Sequence, residues 1–234
     1  MTTDTRATRG GVGAWLLLAV PFIVQLVVVG TAAGLLAAVG ERPPRDQSFY
    51  HLPNGVLYLL GFAAFGGATY LVARHLGPPR ALLALRRTPL WPAVGWSVVA
   101  LAGAIAVAAI LEPLFGGSAS QDLRQAAFPG GVSATLALGL VGFAFVIGAP
   151  VTEELYFRGL LLGRFAATLG SAAAVVATSG LFALAHFQPA AFPVILAIGA
   201  IFALLRLKTD SIWPPMVVHG INNALAFTIA LLGP

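Results

Sequence analysis

Charged residues are so sparse along this chain that they cut it into long apolar runs. Gly10 to Gly40 carries no charge, and neither do Gln47 to Ala73, Thr88 to Leu111, Gln125 to Thr152, Phe165 to Leu205 and Ser211 to Pro234. A helix needs roughly 20 apolar residues to cross a bilayer, so each run is long enough for a span. The fifth is long enough for two, with Pro189 and Pro193 marking a hairpin near its middle. The pattern predicts an all-α, polytopic transmembrane helical bundle of seven to eight spans. Alternation in ten-residue blocks, the mark of a membrane β-barrel, is absent.

Composition narrows the class further. Charged residues make up 9% of 234 positions and hydrophobic ones 59%, against about 25% charged in a soluble domain. That excludes a soluble or disordered chain. The net charge of +5 therefore signals loops facing anionic lipid, with no nucleic-acid partner. There is no cysteine, which removes disulfides, thiolate metal sites and a Cys nucleophile. The stretch Val12 to Val39 is too long for the h-region of a cleaved signal peptide.

With the N-terminus inside, the inner segments hold Arg6, Arg9, Arg74, Arg80, Arg86, Arg87, Arg158, Arg164, Arg206 and Lys208, which is 10 cations. The outer segments hold Arg42, Arg45 and Arg124, which is 3. The split favours a cytoplasmic N-terminus. The Ala-, Gly- and Arg-rich composition suits a high-GC bacterial genome, and so a bacterial inner membrane. The Arg74–Arg87 loop reads as a cytoplasmic segment on anionic headgroups, without chemistry of its own.

The informative residues are the polar ones set against apolar helix, because ionisable groups in a membrane are costly. The first group is Thr152-Glu153-Glu154-Leu155-Tyr156-Phe157-Arg158. Glu154 and Arg158 stand four apart on one helical face, acid before base, the better order for a pair. Glu153 lies about 100° round the helix and stays available. The plainer alternative is a helix start capped by Thr152 with acids in its first turn. The second group is Phe182 to His186, with Phe182 one turn before the imidazole. The third is His219-Gly220-Ile221-Asn222-Asn223, where His219 and Asn223 share a face and Asn222 lies close to it. Plain packing also accounts for the small-residue spacing of Gly159 and Gly163. One carboxylate, two imidazoles and a carboxamide from different segments suffice to activate a water and stabilise an oxyanion.

Glu153-Glu154-x-x-x-Arg158, Phe182-x-x-x-His186 and His219-x-x-x-Asn223 resemble, in order, the motifs of the CPBP family of intramembrane proteases. That family includes the CAAX prenyl endopeptidases and the bacterial Abi proteins. The resemblance covers 133–234, a CPBP-like catalytic helical core. Residues 1–132 match only as N-terminal transmembrane helices without motifs. The resemblance implies an endopeptidase acting on a membrane-associated protein or peptide, with its site inside the membrane and open to the cytoplasmic side. Glu153 and His186 would activate the water, and His219 and Asn223 would stabilise the oxyanion. Glu154, Arg158, Phe182 and Asn222 would support them. Glu153, His186 and His219 would be the ligands if zinc were present. A metal-independent mechanism is favoured, because Asn is a poor zinc ligand and Glu serves as a base alone.

His186 lies 15 residues beyond Ser171, about 22 Å along a helix. Glu153 must then be deep as well, so the fourth helix is expected to run unbroken past Pro150. Two other classes use the same residues. A non-catalytic immunity or scaffold protein of the Abi type would retain the motif without turnover. A transporter would show internal repeats, and none is apparent.

Overall fold

The computed structural model describes residues 11–41, 49–115 and 128–232. The chain forms α1 (Val12–Ala38, through a short 3-10 turn), α2 (Leu52–Leu76), the four-residue α3 (Pro79–Leu82), α4 (Leu90–Phe115), α5 (Gly131–Leu169), α6 (Ser171–Leu184), α7 (Phe192–Thr209) and α8 (Trp213–Leu232). There is no strand among the described residues. Six of these helices are long and apolar enough to cross a membrane. The protein is a polytopic integral membrane protein, and the bundle expected from the apolar runs is present.

Prolines open several helices, where a missing N–H costs nothing. Pro53, Pro193 and the pair Pro214-Pro215 all sit in first turns. Asp210 ends α7 in the left-handed region at φ 48°, which closes the tight turn into α8.

The fifth apolar segment, α6, is the short one. The 14 residues of α6 rise about 21 Å, less than the roughly 30 Å hydrocarbon core. The chain turns back through 185–191, with Phe187 at φ 51°. His186 is thereby left at membrane depth.

The fourth segment is one continuous helix of 39 residues. Thr152 does not cap a helix start: its Oγ1 donates to the Gly148 carbonyl at 2.9 Å, inside α5. Two π-helical stretches, Ala144–Gly148 and Leu155–Leu161, flank the turn carrying Glu153 and Glu154. Wider turns of this kind rotate side chains out of the 3.6-residue register and are frequent at functional sites.

One end of the bundle is cationic. Arg164 stacks on Trp15, Lys208 on Trp96, and Arg86 pairs with Asp210. Arg74, Arg80 and Arg87 belong to the same end, as the last turn of α2 leads into the α2–α4 connection. That connection is more than a surface loop. Leu83 and Ala84 are buried, the Ala84 carbonyl accepts from Ile212 N–H, and the Arg86 carbonyl accepts from Ser211 Oγ. Gly159 exists to admit it, since a Cβ there would stand 3.0 Å from Leu83 Cα, whereas Gly163 faces open space. At the other end Tyr50, Ala134 and Ala230 pack with Phe49, Leu138 and Phe227. Arg42, Arg45 and Arg124 lie outside the described residues.

Candidate active site

Arg158 is a buried guanidinium on α5, 1% exposed. Buried charge is tolerable only when paired and hydrogen-bonded. Its Nη1 donates to Glu154 Oε1 at 2.9 Å, and its Nη2 donates to the Gly199 carbonyl of α7 at 3.0 Å. Phe182 lies under the guanidinium at 4.2 Å, with Phe157 and Phe202 farther out. Gly199 permits this, because a Cβ would approach Phe182 and the guanidinium itself. One ion therefore ties α5, α6 and α7 together.

Glu154 is also buried, and its Oε1 has a second donor. His219 Nδ1–H, from α8, donates to it at 3.0 Å. This fixes the imidazole with Nε2 turned toward Glu153, whose Oε2 lies 3.9 Å away. That gap exceeds hydrogen-bond reach, so both groups keep capacity for a third. Glu153 Oε2 is buried and has no hydrogen-bond partner among the described residues. Phe202 packs beside the His219 ring at 5.1 Å between centroids.

His186 is held in a similar way. Its Nδ1–H donates to the Phe182 carbonyl at 2.7 Å, leaving Nε2 for the cavity. The Phe182 ring meets the imidazole edge-on at 4.7 Å. Asn223 Nδ2 donates to the Phe145 carbonyl at 2.9 Å, inside the first π-helical stretch. That bond uses one of its two amide hydrogens. Gly220 lets α8 come close there, since a Cβ would stand 3.1 Å from the Val146 carbonyl.

Glu153, His186, His219, Asn222 and Asn223 line one cavity of about 260 Å³. Glu154, Arg158 and Phe182 stand behind that wall. The rest of the lining is largely apolar and includes Phe62, Phe145, Ile195 and Ile198. Phe49 and Phe227 line it too, and both pack in the cluster at the end remote from the basic loops. The cavity thus reaches toward the non-cationic end, not the cytoplasmic side that the resemblance implies if the cationic end is cytoplasmic.

Sequence reasoning missed the contribution of the motif-free half. Phe49, Phe62 and Glu112 all line the cavity. The uncharged third run ends at Leu111, one residue before Glu112. The helix continues to Phe115, and an acid at the edge of so apolar a run was the available signal.

No three His, Asp or Glu side chains among the described residues stand close enough together to hold a metal ion. His186 and His219 each donate Nδ1–H to an oxygen and keep Nε2 free, the arrangement in which an imidazole can also serve as a metal ligand. Glu153 and the two Nε2 atoms would be the donors if a zinc ion bound there.

A helical membrane bundle with a buried Glu–His cluster on an apolar cavity is the class that fold and site define. Residues 135–225 match the family model described as type II CAAX prenyl endopeptidase Rce1-like. The chain is 35% identical over 98 residues to the membrane-embedded CAAX protease MroQ of Staphylococcus aureus (strain USA300). That match covers 39% of this chain and 39% of the relative's length. No solved structure matches. Family model and relative support, over residues 135–225, the CPBP resemblance carried by the three motifs.

Proposed function

We propose that this protein is an intramembrane endopeptidase that hydrolyses a peptide bond of a membrane-associated protein or peptide. The observation that carries the reading is the unpartnered Glu153 oxygen facing His219 Nε2 at 3.9 Å on the wall of an apolar cavity.

In this reading Glu153, with His186 beside it, takes a proton from a water in the cavity. The water oxygen attacks the scissile carbonyl carbon. His219, in the imidazolium form, donates Nδ1–H to Glu154 and Nε2–H to the developing oxyanion, and the second amide hydrogen of Asn223 assists. The proton held by Glu153 passes to the leaving nitrogen as the C–N bond breaks. The products are a carboxylic acid and an amine, and transfer of the acid's proton to the amine leaves a carboxylate and an ammonium group. Glu154 acts through His219 as a positioning residue, and Arg158 holds Glu154. The cationic end, with the N-terminus, faces the cytoplasm, in a bacterial inner membrane.

The test is cleavage of a quenched library of membrane-bound peptides by purified protein, with a Glu153→Ala control and a chelator arm. Cleavage lost only in the variant is the expected result. Loss with the chelator as well would overturn the metal-independent step. No cleavage by the unaltered protein would favour the non-catalytic scaffold.

A further inference from the structure

Glu112 is the acid this mechanism leaves unused. It belongs to α4, which is otherwise so apolar that it reads as a spanning helix of mean hydropathy 2.3. It stands in the last turn, three residues before the end at Phe115 and directly before Pro113. A carboxylate there faces the negative end of the helix dipole, where it destabilises. Among the described residues Glu112 has no hydrogen bond or ion pair. Yet it is half-buried, and it lines the same cavity as Glu153, His186 and His219. The rest of the cavity lining is mostly aromatic and aliphatic, with the amides of Gln188, Asn222 and Asn223 as further polar groups.

A carboxylate with no partner among the described residues, on the wall of an apolar cavity, selects for a cation that brings its own apolar stem. A substrate Lys or Arg side chain meets both demands: its methylenes lie along the apolar wall while its head reaches the acid. We propose that Glu112 is a specificity-determining residue, preferring peptides in which a Lys or Arg follows or precedes the apolar stretch seated beside Glu153. This rests on the protease reading and deepens it by naming a substrate class. It gives the motif-free half of the chain a part in choosing the substrate.

The test separates binding from turnover. The probe is an apolar membrane-partitioning peptide bearing one Lys, moved stepwise along it, with Lys→Gln and Lys→Glu counterparts. Binding is measured by fluorescence to purified Glu153→Ala protein, with and without Glu112→Gln, and cleavage is measured in the Glu153 background. At the preferred position the Lys peptide should bind about tenfold tighter than its Gln counterpart. Glu112→Gln should bring that ratio close to one, and Glu112→Lys should turn the preference toward the Glu peptide. In the Glu153 background the same ratios should appear in KM more than in kcat. A Lys-to-Gln ratio near one at every position overturns the proposal, as does a ratio that survives Glu112→Gln. Normal binding ratios with no cleavage would sink the protease reading while leaving the cation preference intact.

Discussion

Glu153 and Glu154 are neighbours with opposite fates. Glu154 is fully enclosed and accepts from Arg158 and His219 through the one oxygen Oε1, whereas Glu153 lines the cavity with no donor bound to its buried Oε2 among the described residues. Replacing Glu153 by Ala should abolish peptide hydrolysis and leave the melting temperature of the purified protein nearly unchanged; full activity in that variant would end the assignment of the base. Arg158→Ala should do the reverse in its first effect, lowering stability by about 3–5 kcal/mol because it strands a buried carboxylate. An unchanged melting temperature would contradict the pairing account. Glu154→Gln keeps an acceptor for Arg158 but weakens the hold on His219. If His219 acts on the transition state, kcat should fall while KM stays close to that of the unaltered protein.

At the scale of elements, two close approaches set the site. Helix α8 rests on the π-helical stretch of α5 through Gly220, and α5 rests on the α2–α4 connection through Gly159. Gly220→Ala would press a methyl group against the Val146 carbonyl and push His219 and Asn223 away from α5. A shift of that kind should cost about 100-fold in kcat with a modest change in melting temperature, and steady-state kinetics beside thermal unfolding would read both. Gly159→Val, by contrast, meets backbone at Leu83, which cannot swing aside, so the loss should appear first as poor folding. The sequence exposed the motifs on these helices but not their contacts. The i, i+4 spacing gave the Glu154–Arg158 pair, since a helix brings those positions together whatever surrounds it. The bond from His219 Nδ1 to Glu154 joins residues 65 apart, and no periodicity carries such information.

At the scale of the whole molecule, the proposed orientation rests on where the cations lie. Every Lys and Arg among the described residues, Arg158 apart, lies toward the end tied by Trp15, Trp96, Asp210 and Arg86. Because the chain has no cysteine, single replacements report topology cleanly. Arg87→Cys should be shielded from an impermeant maleimide in intact cells, and Gly130→Cys should react. The opposite pattern would invert the bundle and direct the cavity toward the cytoplasm.

Hydrophobicity alone determined that this chain is a helical membrane protein, because water and lipid sort residues by a property that each carries individually. Three short motifs, together with their order, brought the catalytic candidates into view for the same reason: helical spacing is local. Where α6 stops, how α5 passes Pro150 without breaking, and that Glu154 serves two donors were decided only by the tertiary structure. So was the entry of Glu112 and Phe62 into the cavity wall. These are contacts between segments far apart in the chain, fixed by which helices pack together and how closely their glycines allow it.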